Sequence, residues 1–161
     1  VSVGPKDVIP QTLDSLGEPG VIVCGIATKP GKPTTIALIG NKLVFSLPGH
    51  PTSALLIFFL LVRPIILLLA GKEAKTSQVK AFASTRMFPA RGRRTFIMVS
   101  LRRDESNRLV AEPVPTGLSG AITTLAKADG FVEIAENEQF VDADEEVGVQ
   151  LLSAKQHRNI E

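Results

Sequence analysis

FSLPGHPTSALLIFFLLVRP, Phe45 to Pro64, runs from a Pro-Gly turn through a small polar cluster into almost unbroken hydrocarbon. The fold turns on whether this is a membrane anchor or a loop feeding a buried helix. From Ala54 to Ala70 the apolar run has seventeen residues, short of the roughly 20 that a bilayer needs. Arg63 and Pro64 lie in its middle, and a central Arg costs about 2.5–3.5 kcal/mol on insertion scales. No membrane span is therefore expected. The alternative is a helix, apolar on nearly every side, covered by a sheet on one face and by something else, such as a second subunit, on another. It should start near Pro51, a residue suited to the first helical position. Pro64 should kink it, because an interior proline loses a backbone hydrogen bond and clashes one turn back.

Upstream, helix and strand signals alternate. KDVIPQTLDSLG reads as a helix with Pro10 in its first turn and Gly17 as its stop. VIVCGIA, Val21 to Ala27, reads as a buried strand with Cys24 in the core. After the turn TKPGKP, the runs TTIALI and KLVFSL flank Gly40-Asn41, a hairpin signal. Together these make half of an α/β layer. Downstream of Gly71 come five short strand-like runs: QVKAFAS, RTFIMVSL, RLVAEPV, GFVEIAE and EVGVQLL. They imply a small β domain, with SGAITTLAKADG as one helix capped by Ser119 and closed by Gly130. The division is thus residues 1–71, residues 72–152 and a polar tail at 153–161.

The 161 residues are 44% hydrophobic and 21% charged, as expected of a globular chain rather than a disordered one. One cysteine and two histidines exclude a disulfide scaffold or a zinc module and suit a reducing, cytoplasmic setting. Net charge is +2, but unevenly spread. Residues 72–108 hold ten Lys/Arg and three Asp/Glu, whereas residues 131–146 hold seven acids and no base, so the two stretches are candidates to face each other. The basic stretch lacks interleaved aromatics and a nucleic-acid motif, so no nucleic-acid partner is expected.

Several residues could carry chemistry. Lys29 and Lys32 flank a Pro-Gly turn with Pro30 and Pro33 restraining it; a solvated turn and an anion-holding pair both fit that spacing. In LPGHPTS, Thr52 and Ser53 fall where free backbone N–H groups of a helix start point outward, which serves helix initiation or an anion. Asp7 is either a helix cap or a carboxylate tied to a metal or phosphate. Arg93 and Arg94 are either a solvated basic edge or a fork for an oxyanion. Ser119 either caps its helix or donates to an anion. This is equipment for oxyanions; no Ser/His/Asp arrangement and no P-loop appears.

VSVGPKD, KPGKPT, LPGHPTSALLIF, VRP, RRTF and PTGLSGAITTLAKADG, in that order, resemble the MoeA family of molybdopterin molybdenumtransferases, whose eukaryotic relatives include the gephyrin E domain. The resemblance implies an α/β fold: a partial MogA-like molybdopterin-binding layer followed by a small C-terminal β-barrel-like domain. It also implies an activity in molybdenum cofactor synthesis. Adenylylated molybdopterin would be hydrolysed with release of AMP and molybdate inserted into its dithiolene, with Mg2+ or another divalent metal. Carried over by position, Lys29, Lys32 and Ser53, with Pro33 beside them, match residues that bind molybdate and pterin phosphate. Arg93 and Ser119 match the arginine and serine of the C-terminal domain, and Asp7 matches an active-site, metal-associated carboxylate. The sequence departs from the family at His50, Thr52 and Thr95. A chain beginning at VSVG further suggests a C-terminal portion, inactive alone, with a non-catalytic molybdopterin-binding or assembly module as the alternative. A homodimer is expected from the sheet edge, the apolar helix and the family's habit.

Overall fold

The computed structural model describes residues 7–74, 76–115 and 121–152, arranged as two compact units, Val1–Ala74 and Lys75–Glu161. In the N-terminal unit, helix α1 (Ile9–Ser15) leads into strand β1 (Pro19–Cys24). Pro10 stands in the first turn of α1, and Leu13 is buried. The short extended piece β2 (Thr28–Lys29) follows, then β3 (Thr35–Ile39) and β4 (Lys42–Ser46). β1, β3 and β4 form an antiparallel sheet in that order. Gly40, at φ 57°, makes the β3–β4 turn, as Gly-Asn predicts.

The central strand is the most buried: Thr35 and Ala37, with Thr34 just before it, are almost fully enclosed. β1 is an edge strand with a register shift between Val21 and Val23. Its apolar run is therefore not buried throughout. Ile22 is 51% exposed, and Cys24, expected in the core, is exposed. A continuous run of apolar residues cannot distinguish a strand covered on both faces from one covered on a single face.

The long helix begins at Pro51 but has three parts: α2 (Pro51–Ile57), a π-helical turn (Phe58–Val62) and α3 (Arg63–Leu69). Arg63 N–H donates to the carbonyl of Phe58, five residues back. That wider turn lets the ladder pass Pro64, which has no N–H and would strike the carbonyl one α-turn before it. The whole helix is 19 residues long and, by length and composition alone, apolar enough to cross a membrane, a longer run than the sequence suggested. Its coverage is uneven. Leu56 and Ile57 are buried, while Ile66, Leu68 and Leu69 are 50%, 74% and 82% exposed, so this chain covers part of α2 and leaves the end of α3 open.

The C-terminal unit is a closed five-stranded barrel. β5 (Gln78–Ala83), β6 (Arg94–Arg103), β7 (Leu109–Pro113), β8 (Gly130–Ile134) and β9 (Glu146–Leu151) occupy the five runs expected from the sequence. The order is β6-β7-β5-β9-β8, with β6 and β8 paired to close it. Only β5 and β7, among these pairings, run parallel. Alternate residues point inward, so Val99, Ala111, Val132, Ile134 and Val149 form the centre of the core. Helix α4 (Ala121–Lys127) ends before Gly130. That glycine opens β8 instead of closing the helix.

The uneven charge resolves here. Lys80 pairs with Glu146 and Arg86 with Asp142, both at 2.7 Å. Arg94 reaches Glu133 and Glu136, and Arg108 reaches Asp144. Among the described residues, four bases of the basic stretch thus pair with five acids of the acidic one, on neighbouring strands and turns of the barrel.

Candidate functional site

The loop after β1 is held by its own backbone. Gly25 N–H donates to the Thr34 carbonyl at 2.9 Å, Ile26 N–H to the Lys32 carbonyl at 3.0 Å and Thr34 N–H to the Gly31 carbonyl at 3.1 Å. Thr34 Oγ1 adds a buried bond of 2.7 Å to the same Gly31 carbonyl. The Lys29-Pro30 peptide is cis. Gly31, at φ +116°, lies so close to α2 that an added Cβ would stand 2.5 Å from Ile57 Cδ1 and 2.9 Å from Thr28 Oγ1. The absence of a side chain is what lets the loop rest on the helix.

This packing joins two of the stretches singled out in the sequence. Ser53 lies four residues before Ile57, so the two share one helix face in adjacent turns. The lysine loop therefore rests on the face of α2 that carries Ser53. Thr52 and Ser53 are buried, at 3% and 8% exposure, and His50 precedes the helix in an extended conformation. Lys29 and Lys32 are exposed and Pro33 is half-buried. Neither lysine has a carboxylate partner among the described residues. Two ammonium groups on a braced turn, without counter-ions, form a local positive field suited to an anion.

Thr28 gave no signal in the sequence. Among the described residues, its Oγ1 is the one buried side-chain polar atom without a hydrogen-bond partner, a state that costs roughly 1–3 kcal/mol when nothing fills it. Asp7 Oδ1 accepts the Ile9 N–H at 3.1 Å, an Asx-turn bond made one residue before the N-cap Val8, which itself has no side-chain cap. No group of three His, Cys, Asp or Glu side chains converges among the described residues. These residues do not by themselves fit a metal site.

In the C-terminal unit the two neighbouring arginines differ. Arg94 is engaged by Glu133 at 3.3 Å and Glu136 at 3.4 Å. Glu136 is held below the ordinary carboxylate range by a hydrogen bond from its own backbone and then by the Arg94 charge. Arg93 has no ion pair among the described residues. Its turn is stitched by Thr95, whose hydroxyl accepts from Ala90 N–H at 2.9 Å and donates to the Arg93 carbonyl at 3.1 Å. Thr95 thus fixes the backbone from which Arg93 projects. Ser119 lies outside the described residues, as does the tail at 153–161.

Residues 1–67 match the family model described as "Probable molybdopterin binding domain", and residues 80–152 match "MoeA C-terminal region (domain IV)". A molybdopterin molybdenumtransferase of Bacillus subtilis is 33% identical over 132 residues, covering 82% of this chain and 30% of the relative. One from Haemophilus influenzae is 30% identical over 152 residues, covering 93% and 37%. Among solved structures, a molybdopterin biosynthesis MoeA protein from Pyrococcus horikosii superposes with a TM-score of 0.75 at 43% identity, covering 89% of this chain and 34% of that one. The chain spans about a third of the length of these relatives.

Proposed function

We propose, because this chain belongs to the MoeA family, that it serves in molybdenum cofactor biosynthesis, and that its N-terminal unit holds molybdate beside the pterin substrate. One observation carries this reading: two lysines without counter-ions, on a loop seated by Gly31 on the Ser53 face of α2. Lys29 and Lys32 neutralise the molybdate dianion, the Ser53 hydroxyl donates to one of its oxygens, and Pro33 keeps the loop rigid. Arg93, which has no ion pair among the described residues, supplies a planar donor fork for an oxyanion. Ser119 adds a hydroxyl and Asp7 a carboxylate in the same scheme. The reaction is insertion of molybdate into adenylylated molybdopterin with release of AMP. The chain's part is to position charged reactants and hold their charge.

The test is calorimetric titration with molybdate and tungstate, with sulfate as competitor. Lys29→Ala/Lys32→Ala should weaken molybdate binding by about tenfold or more, since a hydrogen bond to a charged group is worth about 1.5–3 kcal/mol. Unchanged affinity would reduce both lysines to loop solubility. Molybdate binding without AMP release from adenylylated molybdopterin would make the chain a binding module.

The exposed apolar surface of α3 and the edge strand β1 support a homodimer. Sedimentation at micromolar concentration should show a dimer, and a monomer would remove that part of the reading.

A further inference from the structure

Of residues 25–33, Gly31 alone is buried, so the lysine loop rests on α2 through a residue that brings no side chain to the contact with Ile57. The same seat encloses a hydroxyl. Thr28 Oγ1 lies so near Gly31 that a Cβ there would stand 2.9 Å away, and it is buried without a hydrogen-bond partner among the described residues. When the loop lifts, that oxygen meets water and regains its hydrogen bonds, so the hydroxyl favours the lifted state. Little apolar surface holds the loop down, and one dry polar atom works against it. The neighbouring sheet is built the opposite way: Thr35 and Ala37 of β3 are 1% and 0% exposed, and β3 is paired on both sides. Native chains open first where few apolar side chains are buried and backbone bonds lie near solvent.

We infer that the lysine loop is a gate. Thr28 keeps the seat weak, so that residues 25–34 lift from α2 while β1, β3 and β4 remain paired. Resting on the substrate reading above, this lifting admits and releases the anion held by Lys29 and Lys32. Valine has nearly the shape of threonine and no hydroxyl, so Thr28→Val should tighten the seat. Thr28→Ser, which keeps the hydroxyl, should not.

The experiment is amide hydrogen exchange on the full chain, without ligand, for wild type and both variants. The reporters are the Gly25, Ile26 and Thr34 N–H groups, whose acceptors, the carbonyls of Thr34, Lys32 and Gly31, all lie in the loop. In wild type they should exchange faster than the amides of β3. In Thr28→Val they should exchange about tenfold more slowly than in wild type, and in Thr28→Ser as fast as in wild type or faster. Reporters as slow as β3 in wild type would mean that the loop opens only with the whole unit. Unslowed reporters in Thr28→Val, or equal slowing in both variants, would mean that the hydroxyl is not what weakens the seat. Either result overturns the inference. Release of labelled molybdate on dilution should be about tenfold slower from Thr28→Val, and unchanged release beside slowed exchange would overturn the gating of the anion. Absence of molybdate binding in wild type would remove the substrate reading, while the exchange rates would still decide whether the loop opens.

Discussion

Gly31→Val is expected to lift the lysine loop off α2. The new Cβ would fall 2.5 Å from Ile57 Cδ1 and 2.9 Å from Ile57 Cγ1, and the added methyls extend further into the same space. Overpacking of this kind costs roughly 1–3 kcal/mol. Forcing a β-branched residue to φ +116° adds about 1–3 kcal/mol of backbone strain. Against a typical total stability of about 5–15 kcal/mol, the sum is enough to open the loop locally. Amide hydrogen exchange read by segment should show residues 25–35 and the first turns of α2 losing protection. Molybdate affinity should fall with it. Wild-type protection across 25–35 would mean that the loop does not depend on its seat against Ile57.

Gly130→Val is expected to break the barrel, whereas Gly148→Ala is not. Gly130 pairs with Leu151 on β9 and Val99 on β6, so it stands where β8 closes the sheet. A Cβ there would collide with the Gln150 carbonyl oxygen and come 2.7 Å from Val149 Cγ1. The obstacle is largely backbone, which cannot turn aside as a side chain can. Strand separation would then add broken ladder bonds, about 0.5–1.5 kcal/mol each, to the overpacking cost. A fall in the melting midpoint of about 10 °C or more follows, at about 4–8 °C per kcal/mol for a unit of this size. At Gly148 the added Cβ meets the far end of the Gln78 side chain, which can rotate away. That variant should melt within a few degrees of wild type. Equal losses in both variants would show that the nature of the obstructing atom is not what matters.

The barrel is the most legible part of the sequence because its strands are short β-rich runs set apart by turn residues; β5 and β9 alternate on the period of two, whereas β6 and β8 carry consecutive buried residues. Gly130 is ambiguous there, because a glycine after AKAD has the same local signature whether it ends a helix or begins a strand. The exposure of Cys24 and Ile22 is hidden for a different reason: burial depends on what covers a strand's second face, and that is not written in the strand. The lysine loop is visible through its Pro-Gly turn. Its seat on Ile57 is not, because it joins residues 26 apart in sequence. Arg93 and Arg94 are indistinguishable as neighbours. Only the placement of Glu133 and Glu136 opposite β6 shows which guanidinium is engaged.

The π-helical turn at Phe58–Val62 does more than accommodate a proline. It inserts one extra residue into the hydrogen-bond ladder, since Arg63 bonds five residues back instead of four. One residue of an α-helix is about 100° of rotation. Every side chain of α3 is therefore turned by that angle from where an uninterrupted helix would have carried it. The stripe that begins with Ser53, Leu56 and Ile57 does not continue straight into Ile66, Leu68 and Leu69. The helix has two headings: one seats α2 against the lysine loop through Ile57, and the other presents Leu68 and Leu69 of α3 to solvent. What reads in the sequence as a single hydrophobic rod is a joint between two differently aimed surfaces.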